Sequence, residues 1–225
     1  MSSHQSFFTS TVGSKLLVAV TGLAMFGFLI LHLIGNLTLY LGPDTFNHYG
    51  HKLISNPLVY PAEAGLIAIF VLHVWKTIRL TLISRSARPE RYRVKKSAGY
   101  TTRKSLASTT MIVSGLFLLV FVPLHVATFK FGAYYATAAD TTVRDLYRLV
   151  VEIFSRPAYV VFYVVSMIVV GFHLWHGISS SAQTLGADTP TITPRIRVFG
   201  WVMAIVIGGG FLTIPLWLFF FGGRS

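Results

Sequence analysis

Four histidines stand where histidine is costly. His32 lies in FLILHLIG, His73 in FVLHVWK, His125 in VFVPLHVA and His173 in GFHLWHG, each within an apolar run long enough to cross a bilayer. An ionisable side chain at that depth needs a partner. Imidazole can find one in a hydrogen bond, a proton relay or a metal. His176 follows His173 by three residues and lies nearly on the same helix face, so either can be the member from that span. A single such histidine is most simply a hydrogen-bonded packing residue. Four of them, one per span, ask for one explanation. A relay also calls for intramembrane carboxylates, and Glu63 is the only convincing one.

The elements that must hold these side chains follow from composition. The chain has 225 residues, 53% hydrophobic and 12% charged, with mean hydropathy +0.65. It reads as an all-α integral membrane protein. Five spans are expected as a single membrane domain: Leu16–Tyr40, Leu58–Ile83, Leu106–Phe131, Ala158–Ser181 and Val198–Phe221. The first run is too long for a signal-peptide core, so no cleavable signal is expected. No polar stretch is long enough to bury a core of its own. With no cysteine, disulfides, iron–sulfur ligation and thiolate zinc are excluded from this chain.

Charge sets the expected orientation. With the N-terminus inside, the inner side carries 13 basic and two acidic residues, and the outer side 6 and 5. Eight of the inner cations lie in the loop Arg85–Lys104. This asymmetry predicts an N-in, C-out topology. It also explains the net charge of +12 by membrane orientation and anionic lipid rather than by nucleic acid, since the basic loop has no interleaved aromatics beyond Tyr92 and Tyr100. A basic inner face can also dock a soluble partner. The outer loops are Gly42–Pro57, holding FNHYGHKL with His48 and His51, and Gly132–Pro157, where an amphipathic helix is expected around Thr142–Phe154 at the interface.

Depth sorts the histidines. On spans that alternate in direction, His32 falls about 6 Å and His125 about 10 Å to the outer side of the span midpoints, and His73 about 4 Å and His173 about 6 Å to the inner side. In an up-down-up-down bundle the first and third helices are diagonal, as are the second and fourth. A flat macrocycle between diagonal helices can be ligated on both faces by imidazole. Two bis-histidine haems stacked across the membrane, in a four-helix bundle with a fifth helix beside it, satisfy all four residues. Such ligation suits electron transfer, because it leaves no open iron position. A haem-free anchor and a histidine-relay proton transporter are the alternatives.

FLILHLIGN, FNHYGHKLISNPLVY, AEAGLIAIFVLHVW, FVPLHV and GFHLWHG, in this order, cover nearly the whole chain. They resemble the five-span dihaem cytochrome b anchor (b558 type) of succinate dehydrogenase and fumarate reductase. The resemblance implies His32 and His125 as ligands of a distal haem b and His73 and His173 as ligands of a proximal one. The family's ligand stands four residues before a glycine in the fourth span, which favours His173, before Gly177, over His176. Some relatives have asparagine at His176, implying a supporting role such as a propionate contact. A flavoprotein and an iron–sulfur subunit are implied as partners on the cytoplasmic face of a bacterial plasma membrane, with a quinone, by resemblance menaquinone, as electron acceptor. Glu63 matches a carboxylate found in relatives. With Asn36, His48 and His51 it is an expected proton-handling group of a distal quinone site; the alternative is an interfacial carboxylate favoured by the dipole at the start of its helix.

Overall fold

The computed structural model describes residue 8 and residues 10–87, 110–187 and 189–222. Seven α-helices make up these residues: α1 (Thr11–Leu37), α2 (Pro43–Ile54), α3 (Val59–Ser86), α4 (Met111–Phe129), α5 (Leu146–Phe154), α6 (Pro157–Thr184) and α7 (Ile192–Phe221). Five of them, α1, α3, α4, α6 and α7, are long and apolar enough to cross a membrane. Each sequence-predicted span therefore has its helix, with shifted ends. The first starts at Thr11 rather than Leu16, because the Ser10 hydroxyl accepts from the Gly13 N–H at 3.0 Å and caps it there. It gives way at Thr38–Leu41 to one turn of 3₁₀-helix, closed by Gly42 at φ +98°. The fifth starts six residues before its expected first residue, at Ile192. Leu106 and most of the basic loop Arg85–Lys104 lie outside the described residues.

Both expected outer loops contain a helix. The stretch read as the loop Gly42–Pro57 forms α2, which begins with Pro43 at its first position. The amphipathic helix of the second loop is shorter than expected, beginning at Leu146 instead of Thr142. Asp145 sets that start by accepting from the Arg148 N–H at 3.0 Å. Its apolar face, Leu149, Val150, Ile153 and Phe154, is buried in the core. So α5 packs down on the bundle together with α2. Asn47 locks the two: its side-chain N–H donates to Asp145 Oδ1 at 2.8 Å, and its carbonyl oxygen accepts from the Tyr147 N–H at 2.8 Å. We call this the capped end, and the opposite end, with Lys15, Lys76, Arg79, Arg195 and Arg197, the basic end.

Around the bundle, α1 packs on α3 and on α6, α4 packs on α6, and α7 packs along α6. The α6–α7 contact is close because small residues face each other. A Cβ on Gly208 would lie 3.1 Å from the Met167 carbonyl and 3.3 Å from Gly171 Cα. The diagonals α1–α4 and α3–α6 are not among the packed pairs.

Candidate functional site

The first meeting place lies on the diagonal between α1 and α4, towards the capped end. The rings of His32 and His125 meet edge to face, with centroids 5.8 Å apart and planes at 86°. The surroundings are aromatic. His32 stacks on Phe28 at 5.2 Å and meets Phe211 of α7 at 5.5 Å. His125 lies against Phe121 and Phe129 of its own helix. From α6, the Tyr163 hydroxyl reaches His125 Nδ1 at 3.3 Å. Asn36, one turn after His32, donates its amide to the His32 carbonyl at 2.8 Å and stands 3.4 Å from the ring.

The second meeting place lies on the other diagonal, nearer the basic end. His73 of α3 and His173 of α6 are within electrostatic reach of each other, and His176 is within reach of His173. His73 Nδ1 is 3.1 Å from Thr21 Oγ1 of α1. His173 Nδ1 is 3.1 Å from Ser114 Oγ of α4. In both cases the hydroxyl hydrogen is already committed. Thr21 donates to the Leu17 carbonyl at 2.6 Å, and Ser114 donates to the Met111 carbonyl at 2.9 Å. A hydroxyl has one hydrogen and spare lone pairs. With its hydrogen on its own helix, the Ser114 hydroxyl accepts from the His173 Nδ1–H, which leaves Nε2 as the bare nitrogen there; at His73 the Val18 carbonyl of α1 is a second acceptor for the imidazole N–H beside Thr21. The next residue is glycine in both helices. A Cβ on Gly22 would lie 3.3 Å from His73 Cε1, and one on Gly115 would lie 3.6 Å from His173 Cε1.

The two levels have the same spacing on both helices. His32 comes eleven residues after Thr21, and His125 eleven after Ser114. At the α-helical rise this is roughly 16 Å, about three turns, so both positions share one face of each helix. Among the described residues, no group of three or more His, Asp or Glu side chains could close round a metal ion by itself. The histidines come in pairs. That is the donor set for a metal whose other ligands arrive with it. With metal–imidazole bonds of about 2 Å, two rings on opposite faces of one metal bring their centroids to about 6 Å, close to the His32–His125 separation. The His32–His125 pair fits the two imidazoles that would hold a haem.

The expected quinone-site residues are less gathered. Glu63, in the first turns of α3, forms an ion pair with Lys130 at the end of α4, with both side chains partly exposed. Asn36 is engaged with His32. His48 is exposed, and His51 lies within electrostatic reach of Asp140. Thr21, Ser114 and Tyr163 were absent from the sequence reading. A hydroxyl in an apolar helix usually bonds back to its own carbonyls, and only the packing shows that these face a ring.

At the basic end, Lys76 is 4% exposed and donates to the Phe8 carbonyl at 2.8 Å. Its ammonium sits 4.6 Å from the Trp75 ring centroid.

The chain is 27% identical over 208 residues, 92% of each chain, to the succinate dehydrogenase cytochrome b558 subunit of Bacillus subtilis. The resemblance read from the motifs stands. No family model matches, and no solved structure matches either. Similarity to the b558 subunit that runs over nearly the whole of both chains covers all four histidine-bearing spans and the helices capping them.

Proposed function

We propose that this chain is the dihaem cytochrome b anchor of a succinate:quinone oxidoreductase. His32 and His125 would hold one b haem, and His73 and His173 the other. The observation that carries the reading is that His32 and His125, from two different spans, bring their rings to 5.8 Å between centroids, while His73 and His173 each meet a hydroxyl of a neighbouring helix. The b558-type relative supports it independently. When bound, the two groups would supply one-electron carriers at two depths, between an iron–sulfur partner at the basic end and a quinone.

The protein's part is holding and insulation. Thr21 and Ser114 orient the imidazoles of one pair, and Tyr163 and Asn36 touch the other. Phe28, Phe121, Phe129 and Phe211 line the outer level and keep water from it. Between the levels, Leu23–Leu31 of α1 and Leu116–Leu124 of α4 carry no ionisable residue. A histidine relay would need one to bridge roughly 16 Å, so electron transfer is favoured over proton conduction.

The orientation proposed is N-in, C-out, with the flavoprotein and iron–sulfur subunits on the cytoplasmic side and menaquinone as the favoured acceptor. Glu63 is the proposed proton-handling residue of a quinone site at the capped end, freed for that task when Lys130 releases it. The test is the visible spectrum of the complex purified with its partners. Two b-type components reducible by succinate are expected, with loss of one on replacing His32 or His125 and of the other on replacing His73 or His173. Four single variants that all keep the full haem content would overturn it.

A further inference from the structure

The inner histidines are each met by a hydroxyl–glycine pair from a different helix, and His73 also by the Val18 carbonyl of α1. Thr21–Gly22 of α1 and Ser114–Gly115 of α4 each present a hydroxyl to Nδ1 and a bare backbone to the ring edge. Each hydroxyl also donates to a carbonyl of its own helix, Leu17 for Thr21 and Met111 for Ser114. Among the described residues, the His32–His125 pair lacks this doubled hydroxyl and glycine. His125 meets a phenol, and His32 meets an amide on its own helix that already donates to the backbone. The two pairs are therefore held by different chemistry.

We infer that Thr21 and Ser114 are a matched pair of positioning residues that fix the Nδ1–H tautomer of His73 and His173 and make both imidazoles electron-rich ligands. This rests on the reading of His73 and His173 as an axial pair. A hydroxyl that donates elsewhere is a better acceptor, because hydrogen bonds in a chain polarise one another. Accepting from Nδ1–H pushes electron density to Nε2 and raises the basicity of the ligand. A more basic ligand favours the ferric over the ferrous state, so the hydroxyls lower the reduction potential of the group between them. Two hydroxyls on opposite sides act on one centre and leave the other untouched. The glycines make the approach possible, since a side chain at Gly22 would crowd the His73 ring.

The test uses the full complex with its partner subunits. Redox titration followed by visible absorption is run on Thr21→Val, which keeps the shape and removes the hydroxyl, and on Ser114→Ala. Thr21→Ser and Ser114→Thr are the rescues. Both hydroxyl-free variants are expected to move the same one of two transitions to higher potential and leave the other in place, while both rescues keep the native value. The low-spin ferric signal of that centre should shift in electron paramagnetic resonance with the same pattern. Loss of that one haem in Thr21→Val, with retention in Thr21→Ser, gives the same support. Unmoved potentials in both hydroxyl-free variants would overturn the inference. So would shifts in different transitions, or a Thr21→Ser variant behaving like Thr21→Val. Failure of the underlying haem reading is distinct, because it would show as missing b-type absorption in the unsubstituted complex.

Discussion

At the scale of single residues, what matters is how little room His73 has. The Gly22 backbone lies against the His73 ring, and an added methyl would stand 3.3 Å from Cε1. Gly22→Ala therefore overpacks this level. A cost of about 1–3 kcal/mol is expected, together with disturbance of the centre nearest His73. Gly115→Ala, at an ordinary contact of 3.6 Å from His173, should be clearly milder. Thermal denaturation and haem content of the two variants, compared side by side, check this order. Glu63→Gln probes the other end: quinone reductase activity should fall while the haem spectrum stays native. Retained activity would return Glu63 to a plain ion-pair role with Lys130.

At the scale of elements, α2 and α5 form a plug over one end of the bundle, joined through a single buried amide. Asn47 is 5% exposed and meets Asp145 and Tyr147 with opposite ends of its side chain. Asn47→Ala would leave the Tyr147 N–H without its acceptor and Asp145 without one of its donors. Destabilisation of about 1–3 kcal/mol is expected, read as easier proteolysis of the segment between α4 and α6. Of this plug, only α5 was legible in the sequence, as an amphipathic stretch around Thr142–Phe154. The α2 stretch, PDTFNHYGHKLI, mixes polar and apolar residues with no long hydrophobic run, so it read as a loop. The lock through Asn47 joins positions almost a hundred residues apart. The membrane-crossing helices were legible, because apolar length alone announces them. The histidines were legible because imidazole is conspicuous in such a run. Their hydroxyl partners were not: Thr21 and Ser114 look like any small polar residue until α3 and α6 are set beside them.

For the whole molecule, the prediction is orientation. The chain has no cysteine, so a single introduced thiol reports on its own position without a cleared background. A cysteine at Ala139, beyond the capped end, should be labelled by an impermeant maleimide in intact cells. One at Ala87, after the last turn of α3, should be labelled only once the membrane is opened. The reverse pattern would invert the proposed topology and move the partner subunits to the other side. The equal spacing between Thr21 and His32 and between Ser114 and His125 has its own consequence. Both intervals behave as gauge blocks cut to a whole number of windings. Adding one residue within Leu23–Leu31 would slide the far end by about 1.5 Å and swing it by roughly 100°, aiming one histidine out of the bundle while its neighbour stayed in place. These stretches can exchange one apolar side chain for another, but they cannot change length.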